Sequence, residues 1–203
     1  MPRADDPATP DRSPSGSPSA GEFQHLGEQV RFHGWRISVV EASFRAPDGT
    51  EFKRDIVRHP GAVAIVPVTD RGTVLLLRQY RGSVDRELLE IPAGTRDVAD
   101  EPPEHTAARE LEEEVGVCAL TIEHIGSMLN TPGFCDERTE LYLATGLEAC
   151  ETNRHGPEEE NITVVEIELD DVDSMVRDNV LIDGQTILGL LLARDVLAKR
   201  SGA

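Results

Sequence analysis

Apolar and polar residues alternate through three short segments near the start of the chain, which is the pattern of strands with one buried face. These segments span residues 28–32, 35–45 and 50–57, and the Asp48-Gly49 pair before the last of them is a hairpin signal. The pattern therefore predicts a small β-rich N-terminal subdomain over residues 23–58.

Further apolar segments predict the strands of a larger unit over residues 59–203. They lie at residues 62–68, 73–79, 88–91, 119–128, 140–145 and 162–169. Residues 185–199 predict a final helix, and its apolar stripe indicates packing in the core or in a dimer interface; the stripe consists of Ile187, Leu188, Leu191, Leu192 and Val196. Strands combined with helices in this way indicate the α/β class.

Residues 1–22 are rich in Pro, Ser, Gly and Asp and contain almost no large apolar side chains. Such a segment cannot offset its ordering entropy by burial, so we expect a disordered tail. The tail lacks the apolar stretch of a secretion signal, and no segment approaches the roughly 20 apolar residues that cross a bilayer. The sequence therefore predicts a soluble, cytoplasmic protein without a membrane partner.

The formal net charge of −18 disfavours nucleic acid as a partner, because phosphate backbones are bound by clustered Lys and Arg. An acidic protein can still bind one diphosphate through metal ions and a few directed arginines. Cys118, Cys135 and Cys150 are odd in number and widely spaced, which indicates ordinary reduced thiols.

A helix between Pro102 and Gly116 carries the most specific chemical signal. Proline suits its first turn, and glycine suits the left-handed position after its end. Ala108, Leu111 and Val115 are predicted to form its apolar face.

Three carboxylates, those of Glu110, Glu113 and Glu114, fall at positions i, i+3 and i+4 of this helix and share one face. Like charges at this spacing repel unless a cation lies among them, and ligand sets made only of oxygen favour Mg²⁺ or Mn²⁺. Taken alone, a Glu-rich run is more typical of a solvated face with an exposed Arg109–Glu113 pair. The residues that flank the run reverse this preference.

The flanking residues resemble the Nudix box, G-x5-E-x7-R-E-U-x-E-E-x-G-U with U aliphatic. The matching positions are Gly94, Glu101, Arg109, Glu110, Leu111, Glu113, Glu114, Gly116 and Val117. Six residues rather than five separate Gly94 from Glu101, and one extra residue in a loop costs little.

The resemblance extends to the ADP-ribose pyrophosphatase branch of the family. It is carried by RQYR at residues 78–81, EIPAG at 90–94, TPGF at 131–134 and an acidic loop at 158–160. It implies a Nudix α/β/α sandwich with a mixed sheet, and metal-dependent hydrolysis of ADP-ribose to AMP and ribose 5-phosphate. It also implies a homodimer, in which the N-terminal subdomain contributes to dimerisation and to substrate contacts.

The same resemblance implies roles for individual residues. The metal ions would be held by Glu110, Glu113, Glu114, the carbonyl of Ala93 and, as a further contact, Glu101. Glu113 and Arg109 would belong to the catalytic group, with Arg109 orienting a glutamate. For the general base the first choice is Glu158 and the second is Glu160, although such a loop can equally be a solvated, charged surface.

Substrate contacts are implied at six positions. Arg81 and Glu90 precede the box, and Arg81 would reach a phosphate unless it is a surface ion pair. Arg54 and Trp35 would enclose the adenosine, with Trp35 stacking on adenine unless it belongs to the core. Gly133 and Phe134 would shape the pocket of the terminal ribose, although Phe134 can instead simply anchor its turn.

Two other functions fit the sequence. The box encodes diphosphate and metal chemistry, so the substrate can be another nucleoside diphosphate sugar or a dinucleotide. The second alternative function is a regulatory module that binds ADP-ribose without cleaving it. The intact carboxylates of the box argue against this alternative.

Overall fold

The structure is a computed structural model that describes residues 21–151 and 160–202. Within these residues the chain forms ten strands and three α-helices. The strands are β1 Gln24–His33, β2 Ser38–Arg45, β3 Glu51–Arg58, β4 Ala62–Pro67, β5 Thr73–Arg81, β6 Arg86–Glu90, β7 Ala93–Thr95, β8 Val117–Leu129, β9 Arg138–Ala149 and β10 Thr163–Glu168. The helices are α1 Pro103–Glu110, α2 Val172–Arg177 and α3 Gly184–Ser201.

The first three strands form an antiparallel sheet of their own in the order β1-β2-β3. The hairpin between β2 and β3 turns at Asp48-Gly49, where the Asp48 carboxylate accepts a hydrogen bond of 2.9 Å from the backbone N–H of Thr50. Gly49 has a φ of +86°, a conformation that glycine adopts without steric cost. The three predicted N-terminal strands and their turn are therefore confirmed.

The rest of the chain contains a mixed sheet in the order β7-β4-β9-β8 and an antiparallel sheet in the order β10-β5-β6. Strands β4 and β9 are parallel neighbours at the centre of the mixed sheet. All six residues of β4 are buried, as expected for a strand that is covered on both faces. The short strand β7 was not predicted, because three residues are too few to show a period.

Helices cover both faces of the mixed sheet. On one face Val63 and Ile65 of β4 pack with Ala107 and Leu111 of the box segment. On the other face Ala64 and Val66 pack in one cluster with Leu190 and Ala193 of α3. This layering confirms the predicted α/β/α sandwich with a mixed sheet.

The box helix differs in detail from the prediction. Helix α1 ends at Glu110 and continues as a π-helical turn, Leu111–Val115, before Gly116 ends it with a φ of +78°. The fully buried alanine is Ala107 rather than Ala108. A π turn is typical of functional sites, and it places Glu113 and Glu114 beyond the α-helix proper.

The final helix α3 is tied to the end of β6 by one side chain. Thr186 is fully buried, and its hydroxyl accepts a hydrogen bond of 3.0 Å from the backbone N–H of Ile91. The Asp183 carboxylate caps the helix by accepting from the N–H of Thr186 at 2.8 Å. The helix does pack in the core, but the residues it buries completely include Leu190 and Ala193, while Leu191 of the predicted stripe is 37% exposed.

No helix in the described part of the chain is long and apolar enough to cross a membrane. All three cysteines are free thiols, as expected.

Candidate active site

The carboxylate of Glu110 lies directly against the backbone of Gly94 in β7. A Cβ atom added to Gly94 would stand 2.0 Å from Cδ and 2.1 Å from Oε1 of Glu110. Any side chain at this position would therefore displace the carboxylate. Because Gly94 has no side chain, the Glu110 carboxylate can lie against the strand at this position.

Glu114 is held against the neighbouring residue of the same strand. Its side chain is 5% exposed, and its Oε2 accepts a hydrogen bond of 3.0 Å from the backbone N–H of Ala93. A buried carboxylate needs such a partner, because burying an unpaired charge is costly. Two box glutamates thus meet β7 at consecutive residues.

Arg109 contacts Glu110 and two further carboxylates of the box. Its Nη1 lies 3.0 Å from Oε1 of Glu110 and 2.8 Å from Oε2 of Glu113, and its Nη2 lies 3.8 Å from Oε2 of Glu101. The hydroxyl of Thr106 donates to the same Glu101 oxygen at 2.8 Å. Burial alone would lower the pKa of Arg109, but Glu110, Glu113 and Glu101 outweigh it and raise that pKa.

The guanidinium of Arg109 is therefore the cation among these carboxylates in the structure. Among the described residues, no three His, Cys, Asp or Glu side chains stand in an arrangement that could hold a metal ion. The chemistry of the donors nevertheless fits a hard divalent cation, because every nearby ligand is a carboxylate or a backbone oxygen. Such an ion would compete with Arg109 for Oε1 of Glu110 and Oε2 of Glu113.

A polar cavity of about 480 Å³ opens beside β7, and Ala93, Gly94 and Thr95 form part of its wall. Arg81 supplies a cation to the same cavity, with Nε 2.8 Å and Nη2 2.7 Å from Oε2 of Glu90. Glu90 is 3% exposed and also accepts from Nε2 of Gln79 at 2.7 Å. The wall of the cavity thus combines Arg81 with β7, the strand against which Glu110 and Glu114 lie, while the box glutamates themselves are not among its lining residues.

Nearby carboxylates favour the charged form of the Arg81 guanidinium. Burial by itself would lower the pKa of Arg81, but Glu90, with smaller contributions from Glu114 and Asp183, raises it. The Arg81 guanidinium stays charged, and its side chain is 39% exposed.

A second cavity of about 500 Å³ is mainly apolar and aromatic. Phe44 and Phe52 form its floor as a stacked pair with ring centroids 5.4 Å apart, and Cζ of Arg54 lies 4.8 Å from the centroid of Phe52. Gly133 and Phe134 also line this cavity. This arrangement suits a flat, aromatic ligand group.

Comparisons with known proteins give the family. A sequence profile of the NUDIX domain matches residues 58–187, more than half of the chain. The chain belongs to the Nudix family. The sequence is 39% identical over 165 residues to an ADP-ribose pyrophosphatase of Bacillus subtilis (strain 168), covering 81% of this chain and 89% of that protein.

Two further similarities agree with this. The Nudix chain is 43% identical over 126 residues to an ADP-ribose pyrophosphatase of Mycobacterium tuberculosis (strain ATCC 25618 / H37Rv), covering 62% of this chain and 61% of that protein. It resembles a solved structure of an ADP compounds hydrolase with a TM-score of 0.77 and 22% identity, over 91% of this chain and 98% of the other, which shows the fold. The expectation of a Nudix pyrophosphohydrolase is confirmed, and Nudix hydrolases generally require a divalent metal ion.

The substrate residues predicted for this Nudix enzyme divide between the two cavities. Arg81 and Glu90 line the polar cavity, and Arg54, Gly133 and Phe134 line the aromatic one. Trp35 lines neither cavity and is 96% exposed, so the alternative that it belongs to the core is wrong. Of the acidic loop, Glu158 and Glu159 lie outside the described residues, and Glu160 is exposed.

Sequence reasoning missed the aromatic floor of the second cavity. Phe44 and Phe52 are direct cross-strand partners in the β2–β3 ladder. The turn at Asp48-Gly49 fixes that register, so counting outward from the turn would have paired them. It also missed Asp183 and Gln185 at the start of α3, which line the polar cavity although they are far from the box in sequence.

Proposed function

We propose that this Nudix hydrolase cleaves the diphosphate of ADP-ribose to give AMP and ribose 5-phosphate. The observation that carries the proposal is the polar cavity, in which the strand that holds Glu110 and Glu114 faces the arginine Arg81. A diphosphate resists hydrolysis because its anionic oxygens repel a nucleophile. Arg81 in the cavity, together with carboxylates that lie against the strand in its wall and would bind a metal ion, would counter that repulsion.

Glu110, Glu113 and Glu114 would hold the metal, with Glu101 and the carbonyl of Ala93 as additional ligands. Mg²⁺ or Mn²⁺ is the proposed ion, since all these donors are oxygens. When bound, the ion would neutralise phosphate charge and make a coordinated water more acidic. Arg109, which contacts Glu101, Glu110 and Glu113 in the structure, would orient a glutamate of this set by ion pairing.

A glutamate of the acidic loop is proposed to accept the proton of the attacking water. Glu158 is the first candidate and Glu160 the second. Replacing Glu158 by Gln should lower kcat strongly with little change in KM, because the substitution removes the base but leaves the binding groups in place. Unchanged turnover would transfer the role to Glu160, for which Glu160→Gln is the matching test.

Arg81 would bind a phosphate of the substrate, held in place by Glu90. The aromatic cavity is proposed to take the adenine against the Phe44–Phe52 pair and Arg54. Phe134, which was expected at the terminal ribose, lines the same cavity as Arg54 and is therefore proposed to contact the adenine instead. Gly133 would shape the adjacent sugar pocket. Trp35, with its side chain exposed, would reach adenine only if the N-terminal sheet is exchanged between the two chains of a homodimer.

The proposed setting is a cytoplasmic homodimer. Support for association comes from the N-terminal sheet, where Val30 and Phe32 of β1 are 58% and 59% exposed. Large apolar side chains that are exposed together are typical of interaction surfaces. Sedimentation equilibrium of the purified chain gives the mass directly, and a monomer at all concentrations would remove this part of the proposal.

The deciding experiment compares ADP-ribose with NADH, GDP-mannose and diadenosine polyphosphates in the presence of Mg²⁺ or Mn²⁺, with products separated by chromatography. The matched control is Glu114→Gln. AMP and ribose 5-phosphate from ADP-ribose, absent in the control, support the proposal. Preferential cleavage of another compound replaces the substrate, and tight binding without any product supports a regulatory module.

A further inference from the structure

Arg58, at the end of β3, connects the N-terminal sheet to a loop of the Nudix domain. Its Nη1 lies 3.0 Å from Oδ2 of Asp136, and its Nε and Nη2 both donate to the carboxylate of Glu28 on β1. The side chains of Arg58 and Asp136 are each 17% exposed. Ion pairs with this degree of burial and two-pronged geometry are stronger than exposed surface pairs.

The backbone reinforces the same junction. The N–H of Val57 donates to the carbonyl of Phe134 at 2.8 Å, and the N–H of Asp136 donates to the carbonyl of Val57 at 3.2 Å. Oδ1 of Asp136 accepts from the N–H of His59 at 2.9 Å, while its other oxygen faces Arg58. Both oxygens of this carboxylate are therefore used to fix the loop to β3 and to the residues that follow it.

The loop that is fixed in this way, residues 130–137, contributes to the walls of both cavities. Asn130 and Glu137 line the polar cavity. Residues 132–136 line the aromatic cavity together with Phe44 and Phe52. A small movement of the loop would change the shape of both cavities together.

We infer that Arg58 is a positioning residue. By contacting both Asp136 and Glu28, it fixes the distance between the polar cavity and the aromatic cavity, which together form the proposed substrate site. Arg58 also lines the aromatic cavity, but the hydrogen bonds from its Nε, Nη1 and Nη2 all go to the carboxylates of Glu28 and Asp136. The inference rests on the proposed function for the identity of the ligand. It does not depend on the metal or on the general base.

The structural half of the inference is tested by hydrogen exchange of the backbone N–H groups of His59 and Asp136. Asp136→Asn keeps the size of the side chain and removes its charge, and Arg58→Met keeps the length of the arginine stem. The matched control is Arg45→Met, which breaks an exposed 2.8 Å ion pair with Glu51 in the same sheet. We expect exchange to become about tenfold faster in the first two variants and to stay unchanged in the control.

The functional half is tested by the kinetics of ADP-ribose hydrolysis in the same proteins. Weaker positioning should raise KM about tenfold and leave kcat within about twofold, because it affects the bound substrate and its transition state equally. The double variant Arg58→Met/Asp136→Asn should show no further increase, since both changes break one connection. Asp136→Asn remains interpretable if Arg58→Met does not fold.

The outcomes separate the inference from the proposed function. Cleavage of ADP-ribose by the unaltered protein, with unchanged exchange and unchanged KM in both variants, overturns the role of Arg58. A fall in kcat at constant KM also overturns it, since that result indicates a catalytic contact. If the unaltered protein does not cleave ADP-ribose, the proposed substrate is wrong. In that case the exchange of the His59 and Asp136 amides still tests the positioning role. Unchanged exchange in the variants overturns that role, and faster exchange supports it.

Discussion

The place of the Glu110 carboxylate depends on the missing side chain of Gly94. The two groups touch so closely that a methyl group cannot be inserted between them. The clash would fall on the end of a flexible side chain rather than on backbone, so the fold can accommodate it by moving Glu110. The effect should therefore appear in catalysis before it appears in stability.

Gly94→Ala tests this at the residue scale. We expect kcat to fall about 100-fold, because a displacement of about 1 Å in a catalytic group has effects of that size. The melting temperature should fall by less than about 3 °C, equivalent to roughly 1 kcal/mol in a chain of this length. Steady-state kinetics and calorimetry measure the two quantities.

The control for this substitution is Gly184→Ala, where an added Cβ meets nothing within 4 Å. Its activity should be close to that of the unaltered enzyme. Equal activity of Gly94→Ala and Gly184→Ala would show that the position of Glu110 is unimportant.

At this scale the sequence identified the box residues and the pair of Arg109 with Glu113, but not the contacts of the box with β7. The spacing of Glu110, Glu113 and Glu114 was visible in the sequence, because helical periodicity is a local property. The contact of Glu114 with the N–H of Ala93 was not, because it depends on how a helix packs on a strand. The contact between Arg58 and Asp136 could not be predicted for the same reason, because these residues are 78 positions apart in sequence.

At the scale of elements, strands β8 and β9 are joined by a polar cluster around Glu140. Burial alone would raise the pKa of Glu140, but hydrogen bonds from Ser127, Arg138 and His124 lower it to about 2. A lowered carboxyl pKa stabilises the folded state above the unfolded value of 4.5. That stabilisation is lost as the pH falls from 4.5 toward 2.

Glu140→Gln should therefore destabilise the protein at pH 7 and have a smaller effect at pH 3. We expect a loss of about 1 to 2 kcal/mol at pH 7, below the full value of about 1.36 kcal/mol per pKa unit because water reaches the cluster. Urea unfolding of both proteins at the two pH values gives the difference. An effect of equal size at pH 3 would mean that packing, and not charge, accounts for the loss.

The elements themselves were largely predictable. Nine of the ten strands and the last helix overlap segments that were expected from hydrophobic alternation, since burial on one or both faces leaves that pattern in the sequence. The π-helical turn at Leu111–Val115 was not expected, because its i to i+5 pairing arises from packing rather than from propensity. The short helix α2 was missed because six residues show too little periodicity.

At the scale of the whole molecule, the N-terminal sheet and the Nudix domain meet along the loop of residues 130–137. The carboxylates of the box belong to one unit, and Phe44 and Phe52 of the second cavity belong to the other. Sequence reasoning anticipated two units, but the pairing of β3 with a distant loop could only be found from the structure. Non-local pairing leaves no periodic signal.

Residues 1–20, most of the tail predicted over residues 1–22, lie outside the described residues, and their composition predicts that they contribute nothing to folding. A chain that begins at Gly21 should keep its activity, and its melting temperature should change by less than about 1 °C, since 1 kcal/mol corresponds to about 2–4 °C at this size. Calorimetry of the two chains makes the comparison. A decrease of several degrees in the shorter chain would mean that the segment packs on the folded part.

The exposure of Trp35 has a spectroscopic consequence. Trp35 is the only tryptophan of the chain and is 96% exposed in a single copy. The fluorescence of the isolated chain should therefore have an emission maximum close to that of free tryptophan in water. Association that covers this face would shift the emission to shorter wavelength, so the native protein carries its own optical probe of whether two chains meet through the N-terminal sheet.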